Sequence, residues 1–374
     1  MLCDNGIDFL RIGNEYTCDR RYRDHLLDHA LEQYGKLAEI KGKILDTQVI
    51  VGTTSTLLNR SYLFTLKHFD LAIVDEASQI LEPGIVGLLT QPEKFILIGD
   101  YKQLPAVVQQ DSALSVVDDP QLNAIGLTDC RNSLFERLIR IEQTNHRTDF
   151  TGVLSRQGRM HPAIAEFPNH EFYFTEHLRP VPLAHQREAS LDYTPTAGDW
   201  LDQALAEHRL LFIASADCRR PDISDKVNTD EARIVADVLR RTRHFYGDRF
   251  DATKTVGVIV PYRNQIAMIR KEIERLGMPE LADISIDTVE RYQGSQRDVI
   301  IYSFTIQQRY QLDFLTANSF VEEGHVIDRK LNVALTRARK QLILTGNVGT
   351  LQRSPVFDRL IRFVKQNGGF MEEQ

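Results

Sequence analysis

No run among the 374 residues approaches the ~20 consecutive apolar residues of a membrane-spanning helix. Cysteine is scarce: Cys3, Cys18, Cys130 and Cys218 lie scattered, with no C-x-x-C pair and no metal-ligand spacing. That usage argues against a zinc or iron–sulfur site and a disulfide framework, and makes a reducing cytoplasm the expected compartment. The opening "MLCDNGIDFLRIGNEYTCDRRYR" lacks the basic-then-apolar layout of a secretory signal. Positive charge is in deficit, with a formal net charge of −7, so bulk charge does not carry the chain onto nucleic acid. A narrow groove with a local basic field is still open to it, with "RRTR" and "TRARK" as candidate sources. No low-complexity tract and no repeat at a solenoid period occurs. No G-x-x-x-x-G-K-[S/T] occurs either: "YGKLAE" and "KGKILD" lack the preceding glycine and the hydroxyl. These residues therefore carry no amide-lined loop, with its lysine, for nucleotide phosphates.

What is present is a succession of short apolar runs that end in small or acidic residues. "TQVIVGTTS", "FDLAIVDEAS" and "EKFILIGDYKQ" form a first series; "RLLFIASAD", "TVGVIVPYRNQ", "DVIIYSFT" and "KQLILTGN" form a second. Such runs suit parallel strands buried on both faces by helices. Between them lie helical patterns. Leu27, Leu31, Tyr34 and Ala38 recur at helical spacing within Arg20 to about Leu45. Asn228 and Glu231 have capping-box spacing, and Gly247 and Gly277 stand where helices should end. Two α/β domains with parallel sheets flanked by helices follow: residues 1–150, with a helical insertion at about 16–45, and residues 151–374. The stretch from Pro180 to Trp200 reads as a surface excursion.

The run "FDLAIVDEASQ" ends a strand in Asp75 and Glu76, where open α/β sheets bind ligands. For phosphate-anhydride hydrolysis, Asp75 suits Mg²⁺ held through its water shell, and Glu76 suits orienting and deprotonating the attacking water. An acidic helix cap is the plain alternative. About twenty residues on, "FILIGDYKQLPAVV" ends in Gly99, Asp100 and Gln103. Then follow "LSRQGRMHP", "GVIVPYRNQI", "IDTVERYQGSQRDVIIYSF" and "RKLNVALTRARKQLILTGN".

This ordered set, from about Ile7 to about Asn347, resembles the second half of a superfamily 1 helicase. The branch is that of the nonsense-mediated-decay helicase and related replication and RNA/DNA-processing helicases. The resemblance implies two RecA-like domains, the first incomplete at its N-terminus, with ATP and Mg²⁺ as cofactors. It assigns Glu76, Gln103, Arg159 and Arg337 as catalytic: Gln103 senses the γ-phosphate, and the two arginines reach across from the second domain as the phosphate departs. It assigns Asp75, Gly99, Asp100, Gly294 and Gln296 to the nucleotide. Thr53, Thr54, Ser55, Pro261, Tyr262, Gln265, Thr288 and Gln293 are assigned to single-stranded nucleic acid, with DNA favoured over RNA and 5′ to 3′ movement. Helix caps and ordinary turns are the alternative for each Thr and Ser. Two departures stand out. The family's "QYRM" reads "QGRM" here, so Gly158 replaces a base-stacking aromatic, and "QGxE" reads "QGSQ", so Gln296 replaces a carboxylate.

The missing phosphate loop leads to three expectations. The leading one is the C-terminal part of an ATP-dependent helicase, inert in hydrolysis alone and completed by an N-terminal portion of the same protein. Without the strand that leads into that loop, residues 1 to about 150 should be incomplete or exposed. The second is a non-hydrolysing module that grips nucleic acid or a partner helicase. The third is a helicase–nuclease parent whose nuclease lies outside these residues. The segment Thr305 to Asp328 exceeds the family's usual connection, as a partner-binding or strand-separating element or as a plain insertion.

Overall fold

The computed structural model describes residues 2–219 and 224–372. Two compact units emerge, Met1–Tyr101 with Pro105–Thr151, and Lys102–Leu104 with Gly152–Gln374.

In the first unit, Phe9–Ile12 (β1) pairs in parallel with Val49–Gly52 (β2), and Leu71–Val74 (β3) with Lys94–Leu97 (β4). Among the described residues these are separate two-stranded sheets. Their cores are small: Leu10, Ile12, Leu27, Ala30, Ile44 and Leu63 under the first pair, and Val74, Ala77, Ile85, Leu89 and Leu134 beside the second. The apolar runs predict strands covered on both faces, yet Ile73 is 63% exposed, Phe95 46% and Ile96 49%. Parallel pairing with open apolar faces is uncommon, because such strands draw their stability from covering helices.

The helix expected from Arg20 to about Leu45 is broken. A 3₁₀ turn Arg20–His25 leads into two short helices, Leu27–Glu32 and Leu37–Asp46. Gly35 sits in the break, where a helical glycine costs about 1 kcal/mol against alanine, and Lys36 is extended with φ −121° and ψ 138°. The stripe therefore stops: Leu27 is buried, Ala38 is exposed, and Ile44 turns inward instead.

The second unit holds a six-stranded parallel sheet. Leu210–Ala214 (β7), Val256–Val260 (β8), Ser285–Thr288 (β9), Arg297–Ser303 (β10), Ala338–Gly346 (β13) and Phe370–Met371 (β14) lie in the order β14-β7-β13-β10-β8-β9. The short pairs Arg156–Gln157 (β5) with Arg179–Pro180 (β6), and Ser319–Glu322 (β11) with His325–Asp328 (β12), stand outside it. Successive strand residues face opposite ways. Leu211, Ile213, Val299, Ile301 and Ile343 pack with the helices Thr229–Tyr246 and Arg263–Leu276. Phe212, Ile300, Tyr302, Leu342 and Leu344 pack with Pro162–Glu171, Arg329–Leu335 and Pro355–Gln366. Each fully buried side chain of this kind is worth ~1.5–3 kcal/mol over leaving it exposed.

Helix ends follow the sequence signals. Asn228 Oδ1 accepts from the amides of Asp230 and Glu231, Gly247 closes the same helix, and Gly277 at φ 64° closes Arg263–Leu276. The capping box is only half formed, since the Glu231 carboxylate takes the Asn228 side-chain amide at 2.9 Å rather than its backbone N–H. Gln265 occupies that N–H. Pro180 to Trp200 is more than a surface excursion: His185, Gln186 and Leu191 are buried.

Candidate functional site

In the first unit, β3 and β4 end side by side, and their ends set the acids. The chain turns sharply at Glu76, which adopts the left-handed region at φ 53° and ψ 35°. Asp75 Oδ1 accepts the Glu76 amide at 2.9 Å, and Gln79 Nε2 donates to Glu76 Oε2 at 2.5 Å. Both carboxylates are exposed. Gly99 passes so close to this turn that a Cβ would meet Ser78 N at 2.9 Å. The Asp100 amide donates to Ser78 Oγ at 3.3 Å, locking the two strand ends together. Asp75, Glu76, Gly99 and Asp100 are thus gathered at one end of one strand pair. Two exposed carboxylates at that place suit a hydrated divalent cation and a polarised water.

In the second unit, residues far apart in sequence converge. Gln157 shapes the "QGRM" turn: its Oε1 accepts from the amides of Arg159 and Met160, and its Nε2 donates to Met160 O. Arg159 Nε donates to Gln296 Oε1 at 3.1 Å and Nη1 to Thr336 O at 3.2 Å. Arg337, 1% exposed, donates from Nε to Val333 O at 2.9 Å. Its Nη2 donates to Gln103 Oε1 at 2.9 Å and to Thr336 Oγ1 at 3.1 Å. A buried guanidinium is tolerated only with its donors matched, and these oxygens hold the fork in a set direction. Lys102 anchors the Gln103 segment from beneath: 1% exposed, it lies 2.9 Å from Glu176 and 2.7 Å from Glu322. Asn332 Nδ2 donates to Lys102 O at 2.8 Å. Gln103, Arg159, Gln296 and Arg337 therefore form one cluster, rich in positive charge. Gly294, at φ 78°, lies just before Gln296 in an open turn.

The residues assigned to a strand fare unevenly. Thr53 is the N-cap of the helix Thr54–Asn59, its Oγ1 accepting the Thr56 amide at 3.2 Å, with Ser55 exposed beside it. Thr288 begins the short helix Val289–Tyr292, and Gln293 Nε2 is buried with no hydrogen-bond partner among the described residues. Pro261 and Tyr262 open the helix Arg263–Leu276. Tyr262 stacks on Phe314 with centroids 4.9 Å apart. Gln265 is a correction. It is fully buried, accepts Asn228 N and donates to Asn228 O, each at 2.9 Å, and so clamps the neighbouring helix start instead of facing a ligand. Its place on the inward side of an amphipathic helix decides this.

Three supporting residues escaped the sequence reading. Gln157 is one; the others come from the stretch read as an excursion. His185 lies with Nε2 2.7 Å from Arg159 O, and Gln186 Nε2 donates to Gln157 O and Met160 O, each at 2.9 Å. Only "HQ" within a Pro-bearing stretch signalled them, and no local pattern links it to residues 157–160.

Comparison with known proteins places the chain in a family. The chain matches the AAA domain family over residues 130–349, and a second AAA domain family over residues 19–111. It is 29% identical over 370 residues to the DNA replication ATP-dependent helicase/nuclease JHS1 of Arabidopsis thaliana, covering 98% of this chain and 25% of that protein. It is 30% identical over 336 residues to the DNA polymerase alpha-associated DNA helicase A of Saccharomyces cerevisiae, covering 84% and 44%. The mouse helicase/nuclease DNA2 matches at 29% over 385 residues, covering 95% and 32%. The chain thus spans a quarter to under half the length of these relatives. With its acids after β3, its arginines in "QGRM" and "ALTRAR", and these matches, the chain belongs to the AAA domain family, in the superfamily 1 helicase branch of the DNA2-type and nonsense-mediated-decay-type helicases.

Proposed function

We propose that this chain supplies the hydrolytic acids, the sensor glutamine and the arginines of an ATP-dependent helicase that steps along single-stranded nucleic acid. The observation that carries the reading is the convergence of Gln103, Arg159, Gln296 and Arg337 in one cluster. A magnesium ion bound with ATP would supply charge neutralisation on the phosphates, and Asp75 would hold its water shell. Glu76 takes the proton of the attacking water. Arg159 and Arg337 offset the negative charge that grows as the terminal phosphate leaves, a role worth ~10³ to 10⁵ in rate in related chemistry. Arginine fits because its charge is permanent and its fork planar. Gln103, bonded to Arg337, couples the state of that phosphate to this arginine. Pro261, Tyr262, Thr288 and Gln293 lie at or near the carboxyl ends of β8 and β9, which suits backbone contacts that hold a strand without reading its sequence. The relatives are named as DNA helicases, two of them of DNA replication, which favours DNA.

No phosphate loop occurs in these 374 residues, and we take that element to come from sequence outside them. The second reading is a strand-binding module without hydrolysis. One pair of measurements separates the two. The chain alone should bind single-stranded DNA and turn over no ATP. A longer protein that includes a phosphate loop should hydrolyse ATP with strand stimulation and lose that activity in Glu76→Gln. Strand-stimulated turnover by the 374 residues alone defeats the proposed division of labour. An unchanged rate in Glu76→Gln defeats the assignment of the base.

A further inference from the structure

The segment after β10 is fastened at several points. The strand ends in a kink at Thr305, whose φ of 65° is rare for a β-branched residue. Its amide donates to Glu231 Oε2 at 2.7 Å. Gln311 Oε1 then accepts the amides of Gln307 and Gln308, and its Nε2 donates to Asp225 O at 2.7 Å. Leu312 and Leu315 anchor the short helix Gln311–Leu315 in the core. The outward side of this anchored turn is aromatic. Tyr310 is 55% exposed and Phe314, four residues on, is 42% exposed. Both line a groove of about 430 Å³ together with Tyr262, Lys226 and Arg263. Phe314 is already occupied, with Tyr262 stacked on it and Lys330 Nζ 3.9 Å from its ring centroid. It forms one wall of the groove. Tyr310 is the aromatic surface presented to solvent beside that wall, with Lys226 and Arg263 exposed on the same groove.

We propose that this groove is a base-stacking subsite for single-stranded nucleic acid, with Tyr310 as the platform and Lys226 and Arg263 meeting the adjoining phosphates. The inference rests on the strand-stepping reading and adds to it residues that the family motifs do not assign. The chemistry is that of sequence-tolerant strand binding: aromatic faces accept any base, and cations track the backbone. A volume near 430 Å³ lies toward the small end of the ~300–1,000 Å³ typical of ligand sites, room for one nucleotide rather than a duplex. A structural role for Tyr310 in the core is at odds with its exposure.

The test uses fluorescence anisotropy of a short labelled thymidine oligonucleotide with the whole chain, its Tyr310→Ala variant and its Tyr310→Phe variant. Tyr310→Ala should weaken binding roughly 5- to 150-fold, the loss expected for one stacked base, while Tyr310→Phe keeps its affinity. An oligonucleotide with abasic positions should weaken the wild-type chain and change Tyr310→Ala little. A uridine oligonucleotide should show the same loss, since the base face alone is used. Equal binding by wild type and Tyr310→Ala overturns the subsite and leaves the helicase reading standing. Failure of the wild-type chain to bind any of the oligonucleotides overturns that reading, and the subsite with it.

Discussion

Arg337 is almost wholly enclosed, yet its fork ends on Gln103, Thr336 and Val333. A lysine there keeps the charge and cannot span three oxygens in one plane. In a longer protein with a phosphate loop, Arg337→Lys should therefore cut strand-stimulated ATP hydrolysis toward the ~10³-fold loss typical of a missing arginine finger. Strand binding should stay unchanged, and paired ATPase and anisotropy measurements check both. Gly99 is governed by space. An alanine Cβ would press against a backbone nitrogen at 2.9 Å, which cannot swing aside. Gly99→Ala should lower the chain's unfolding stability by ~1–3 kcal/mol, as other overpacked sites do, read by urea denaturation. "GD" after a strand was legible as a ligand-side turn, whereas the close approach of Ser78 was not, because it depends on how β3 and β4 end.

The end of β10 is an element whose stability is tied to pH. Burial pushes the Glu231 carboxyl from its ordinary 4.5 up to about 8, against the pull of hydrogen bonds from Ser303 and Thr305. Between those values the folded chain holds a proton that the unfolded chain has released. The stabilisation is thus complete below about 4.5 and is lost as pH rises through about 8. The urea midpoint should accordingly fall from pH 5.5 to 8.5 in the wild type, and the slope should flatten in Glu231→Gln. A slope that persists in the variant would assign it to another group. The helix bearing Glu231 was legible from Asn228 and Gly247, because caps are local chemistry. The destination of its carboxylate was not, since Ser303 and Thr305 lie 72 and 74 residues away.

Across the whole molecule, cover is distributed unequally. The second unit has a core on each face of a six-stranded sheet, whereas the first has two small clusters and an exposed apolar strand pair. Local opening should be easier in the first unit. Brief trypsin treatment should cut within residues 1–150 first and leave a fragment beginning near residue 152, identified by mass spectrometry. Early loss of the second unit would contradict this. The strands β2, β3, β4, β7, β8, β10 and β13, the helix stops at Gly247 and Gly277 and the family were legible in the sequence alone, because each rests on residues that are neighbours along the chain. Only the tertiary structure decided that Gln265 faces inward, that Gln103 meets Arg337 across 234 residues, that the "HQ" of a supposed excursion secures the Arg159 turn, and that Tyr310 faces solvent. The reason is physical. Periodicity tells which side of an element is apolar, while the partner of a polar side chain is set by elements that packing brings alongside it.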